Sequence, residues 1–91
     1  MDAFLYWRGE HHISRIEIEY VVEDVLGDQG EVTGAGSGER GGNIDIEIFE
    51  DSAAPRLMVE ISKAVAQYLP ADAYYHFDDE SERHLLADDL K

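Results

Sequence analysis

Between Ile44 and Phe49 the chain alternates strictly, with Ile44, Ile46 and Ile48 on one side and Asp45 and Glu47 on the other. A period of two with β-branched residues predicts a half-buried strand. The glycine-rich run before it, Gly34 to Gly42, reads as a loose loop, because ordering glycine inside a strand or helix costs backbone entropy. Behind the glycines, Glu31 to Thr33 is a second short extended piece. Gly30 to Asp51 therefore reads as two antiparallel strands and their connection. Ala3 to Arg8 is short, rich in aromatics and bounded by Gly9, which favours a strand. Its pattern leaves open which alternating set faces the core.

Elsewhere the rhythm lengthens to three and four. Ile18, Val21, Val22, Val25 and Leu26 form one apolar stripe of a helix. Ser14 and Glu17 make a capping box at its start, and Gly27 suits its end. Arg15 to Val22 also alternates fairly well, so a strand competes there; the capping signals at both ends favour the helix. Leu57, Ile61, Ala64, Val65 and Tyr68 form a second stripe, supported by Met58 and Leu69. Asp51 or Ser52 is placed to cap this helix, Pro55 falls in its first turn, and Pro70 ends it. Ala73 to Phe77 reads as a last strand. Residues 78–91 read as an acidic tail or short terminal helix.

The order strand, helix, strand, strand, helix, strand predicts a single α+β domain over residues 1–91, of the ferredoxin-like βαββαβ pattern. It implies a four-stranded antiparallel sheet with two helices on one face. The first and third strands would lie in the middle, and the other face would be open to water or used for binding.

Charge narrows the choice of partners. The 91 residues carry 21 acidic and 7 basic side chains, a formal charge of −14. Such a field disfavours nucleic acid and anionic membranes and attracts cationic partners. Solubility or adaptation to high salt would produce the same balance. With no cysteine the chain has no disulfide and no thiolate metal site, which suits the cytoplasm. The apolar run Ala3 to Trp7 is too short for a signal peptide or a membrane span.

Catalytic and cofactor chemistry find little support. The loop Gly34 to Gly42 invites a phosphate cradle, but no lysine follows it and the next element is a strand rather than a helix. Arg40 is its only cation and is expected to pair with a nearby carboxylate. Glu10, His11 and His12 lack the spacing of a metal site, and His76 and His84 stand alone in sequence, so no metal or other cofactor is expected. No GxSxG motif and no cysteine nucleophile is present, so the chain is expected not to be an enzyme.

The strongest candidate surface is Asp45 and Glu47 on the expected central strand, with Glu31 beside them and side chains from the flanking strands, among Phe4, Tyr6, Leu5 and Trp7 or Tyr74, His76, Tyr75 and Phe77, of which Trp7 and Tyr75 are singled out. RNA-binding sheets of this pattern combine aromatics with basic residues. Here the charge is reversed, which suits a basic protein partner whose Arg and Lys both pair and stack. A simple solvated strand face is the competing reading. Self-association into a homodimer and small-ligand or metal binding are the alternative functions.

The run from Gly30 to Gly38, Gly-Glu-Val-Thr-Gly-Ala-Gly-Ser-Gly, followed by Gly-Gly-Asn-Ile-Asp-Ile-Glu-Ile, resembles a segment of small uncharacterised bacterial ferredoxin-like α+β proteins. The likeness spans roughly Glu17 to Tyr68 and concerns a fold pattern rather than a functional motif. Some small acidic proteins of this kind are immunity proteins that neutralise a toxin. The resemblance thus implies a toxin-neutralising, antitoxin-like role and carries over no individual residue.

Overall fold

A computed structural model describes residues 1–9, 14–38, 41–78 and 80–90. Its elements are β1 (Asp2–Arg8), α1 (Arg15–Leu26), β2 (Gly30–Gly38), β3 (Gly41–Ile48), α2 (Ala54–Val65), β4 (Tyr74–Phe77), β5 (His84–Leu85) and α3 (Leu86–Asp89). The fold is α+β: among the described residues, an open antiparallel sheet of five strands in the order β2-β3-β1-β4-β5, with three α-helices. The expected four strands are therefore one too few, whereas the short terminal helix, one of the two forms expected for residues 78–91, is present as α3. The fifth strand forms because the backbone of His84 and Leu85 pairs with Tyr75 and Tyr74, and Leu86 enters the core.

Alternation decides the sheet's two faces. Ala3, Leu5 and Trp7 of β1, Ile44, Ile46 and Ile48 of β3, and Tyr75 and Phe77 of β4 are buried in one cluster with Ile18, Val22 and Leu26 of α1 and Leu57, Met58, Ile61 and Val65 of α2. Both long helices thus cover the isoleucine side. Each fully buried aliphatic side chain contributes about 1.5–3 kcal/mol relative to exposure, so this layer is the main source of stability.

The helix boundaries follow local chemistry. Ser14 Oγ accepts the Glu17 amide at 3.2 Å, which satisfies one free donor at the start of α1. Gly27 ends α1 at a φ of +56°, and its amide donates to the Glu23 carbonyl. At α2 the expected cap is absent: Asp51 and Ser52 lie in a 3-10 turn, and the residue before the helix, Ala53, makes no side-chain cap. Asp51 instead meets the Met1 ammonium at 3.1 Å, and that hydrogen bond raises the amine's pKa above its ordinary value. Pro55 stands in the first turn of α2 as expected.

The glycine run also differs from its expected form. Gly34, Gly36 and Gly38 belong to β2, which pairs with β3 through to Gly38 opposite Gly41, with a bulge between Val32 and Gly34. Pairing along the whole of β3 offsets the entropy that glycine loses on ordering. The two expected antiparallel strands are thus present but longer, and most of the expected loose loop belongs to them. Glu10, His11 and His12, the expected connection, and Arg40, the expected partner of a carboxylate, lie outside the described residues.

Candidate functional site: the open sheet face

The face away from the helices carries the other half of each alternation. Its cross-strand rows follow from the register. One row is Glu31, Glu47 and Asp2, from β2, β3 and β1. The next is Gly34, Asp45, Phe4 and His76, running from β2 to β4. A third is Gly36, Asn43, Tyr6 and Tyr74. Carboxylates thus occupy the β2–β3 side and one end, and rings occupy the β1–β4 side.

The rings form a connected group. Phe4 and His76 have centroids 5.2 Å apart, and Tyr6 and Tyr74 are 5.5 Å apart. Tyr6 and His76 are near parallel, at 10° and 5.7 Å. All four side chains are half-buried by one another while no helix covers them. The Arg83 guanidinium carbon sits 4.6 Å from the centre of the Tyr74 ring, within cation–π range. Tyr6, Tyr74, His76, Glu80, Ser81 and Arg83 line an open hollow of about 330 Å³.

The acidic half is shaped by the glycines. A Cβ at residue 34 would come within 3.0 Å of Asp45 Oδ2, and one at residue 36 within 3.1 Å of Asn43 Oδ1. Bare backbone at both positions gives the side chains of β3 room to lie across β2. Asn43 Nδ2 donates to Asp45 Oδ1 at 3.3 Å, which orients the carboxylate. Glu47 stands directly opposite Glu31 on one side and Asp2 on the other. Like charges in register repel, so this row is held against its own electrostatics.

Of the five residues singled out from sequence, Asp45, Glu47 and Glu31 fall on this face. Trp7 and Tyr75 do not: each is only 3% exposed and faces the helices. They are corrected to core residues, and the aromatics of the open face are Phe4, Tyr6, Tyr74 and His76. The reason is parity. Both alternating sets of β1 and β4 contain rings, so composition does not separate them, and only pairing with the isoleucines of β3 does. Tyr75 also donates its hydroxyl to Asp89 Oδ2 at 3.1 Å; burial, with the nearby Asp89 carboxylate, pushes its phenol well above the ordinary range.

A second cluster, not singled out from the sequence, lies just before and at the start of β5. Glu80, Glu82 and His84 place their side-chain ligand atoms within 4.8 Å of one another. Two carboxylates and an imidazole are a donor set that suits a divalent transition cation. His84 Nε2 already meets Glu80 Oε1 at 2.5 Å, and its ring stacks on Tyr75 at 5.0 Å. The pair is complete as a charged hydrogen bond whenever the imidazole is protonated.

No helix among the described residues is long and apolar enough to cross a membrane. No protein-family model, no curated protein and no solved structure matches the chain.

Proposed function

We propose that this chain is a non-enzymatic, cytoplasmic binding domain on a ferredoxin-like frame, and that its open sheet face holds a basic protein partner. The strand order β2-β3-β1-β4 with two helices on one face supports the frame, β5 being an addition at the edge. The observation that carries the binding role is the Glu31–Glu47–Asp2 row beside the four-ring group. Repelling carboxylates gain stability when a cation settles among them, and adjacent rings add contact area and cation–π attraction. An immunity or antitoxin-like inhibitor is the most concrete form of this role, since a basic toxin surface would meet both features.

The test is capture of partners from the native host by wild type and by the Asp45→Asn/Glu47→Gln variant, followed by association kinetics of what is captured. The reading expects association that slows steeply with salt and is lost in the variant. Association indifferent to ionic strength would overturn it. A homodimer is the second reading, favoured by the long edge of β2, whose described pairing is to β3 alone. Light scattering on the eluting protein separates the two.

A further inference from the structure

Resting on the proposed basic-partner face, we infer that the ring group selects arginine over lysine and that the chain's own Arg83 occupies this position until a partner arginine displaces it. Arg83 already shows the mode of contact: its guanidinium lies 4.6 Å from the Tyr74 ring centre. The hollow next to it is lined by Tyr6, Tyr74 and His76, together with Glu80, whose carboxylate also meets His84 Nε2. Two of those walls, Tyr6 and His76, are near parallel at 10° and 5.7 Å, so each holds the other's orientation. A planar guanidinium lies flat against such rings and still directs N–H groups at a carboxylate in the ring plane. A lysine ammonium is a compact, strongly hydrated charge and gains less there.

Arg83 and Tyr74 also line a second hollow, with Arg8, Asp72 and Leu85. It therefore stands at the junction of the two hollows, on an exposed stretch just before β5. An arginine from outside competes with it for the Tyr74 face. Its release costs one cation–π contact and exposes a ring that the incoming guanidinium covers again. The resident side chain thus sets a threshold: weakly basic segments fail to displace it, and arginine-rich ones succeed.

The experiment measures binding of two short glycine-spaced peptides by calorimetry at low ionic strength, one with arginines and one with lysines at the same positions. The proteins are wild type, Arg83→Ala and Lys63→Ala, the last removing one positive charge from the exposed side of α2. The inference expects the arginine peptide to bind wild type about fivefold tighter than the lysine peptide, the size of an exposed cation–π preference. It also expects Arg83→Ala to tighten the arginine peptide by a further factor of about five, well beyond the effect of Lys63→Ala. Amide shifts at Tyr6, Tyr74 and His76 should accompany binding. Equal binding of the two peptides, with Arg83→Ala no different from Lys63→Ala, overturns the arginine inference and leaves the basic-partner reading standing. Failure of both peptides on all three proteins overturns both.

Discussion

Asp45 lies over Gly34 of the neighbouring strand, so closely that a Cβ there would stand 3.0 Å from its Oδ2. The glycine and the carboxylate are one device: the missing side chain lets the acid lie across β2 rather than stand up from the sheet. The obstacle to a methyl group is the end of a side chain, not backbone, so Gly34→Ala should fold. Alanine at an ordinary φ also reduces the freedom of the unfolded chain, by about 0.4–1 kcal/mol. Stability should therefore change by less than about 1 kcal/mol in urea unfolding. Binding of a basic partner should weaken, because the carboxylate must turn away. Unchanged binding would show that its position is immaterial.

Gly41 is constrained differently. Its φ is +137°, and a Cβ there would collide with the Trp7 carbonyl oxygen, which is backbone and has nowhere to go. Gly41→Ala should destabilise by at least about 2 kcal/mol, from strain and displaced β1–β3 pairing together. Gly38, three residues earlier, has open space where a Cβ would be. Gly38→Ala should be within about 0.5 kcal/mol of wild type. Chemical unfolding of the pair checks the contrast.

Tyr75 predicts a loss of stability in alkali. Its phenol is held neutral by burial first, and then by the Asp89 carboxylate that it faces. The folded pKa thus lies above the unfolded value of about 10. Below that value both states carry the proton and the contribution is complete. Above it the unfolded chain releases the proton while the folded one retains it, so stability falls as pH rises towards the folded pKa. Absorbance titration at 295 nm should show one of the five tyrosines ionising only with unfolding. In Tyr75→Phe the alkaline decline should be shallower.

The C-terminal segment supplies another test. Leu86 is 2% exposed, and its amide donates to the Ala73 carbonyl at 3.1 Å. A frayed tail would tolerate Leu86→Ala, whereas a core position loses about 2–5 kcal/mol. Thermal melting should show the larger effect, with faster amide exchange along β4 and β5.

What was legible in the chain was mostly local. The isoleucine alternation, the Ser14 cap, Pro55 in the first turn and the two helix stripes each depend on residues within a turn or two of one another. The parity of β1 was not legible, since Leu5 and Trp7 are as apolar as Phe4 and Tyr6, and contacts with β3 and the helices decide between them. The glycine run contains its own answer, because Gly34, Gly36 and Gly38 repeat with period two. Entropy alone makes that run a loop; a full-length partner strand makes it β2. The pairing of His84 with Tyr75 depends on the turn between them, and no periodicity over two residues announces a strand. Of the face itself, the acids of β3 were readable, and so were the two candidate sets of rings beside them, but not which set faces outward.

Under the proposed binding role, Glu47 couples stability to affinity. It faces Glu31 across one strand boundary and Asp2 across the other, a row of three carboxylates in register. Pairs of like charge at such positions destabilise by roughly 0.2–1 kcal/mol each. Neutralising the middle member relieves both, so Glu47→Gln should stabilise the free protein by about 0.5 kcal/mol or more at low salt. The gain should shrink as ionic strength rises past about 0.15 M, where screening acts over about 8 Å. A purely structural strand face predicts nothing more. A binding face predicts that the same substitution weakens a basic partner, so that stability and affinity move in opposite directions. Melting temperature and partner dissociation rate, measured on one preparation across a salt series, decide this. If Glu47→Gln is neutral or destabilising at low salt, the repulsion assigned to the row is absent, and with it the reason to expect a cation there.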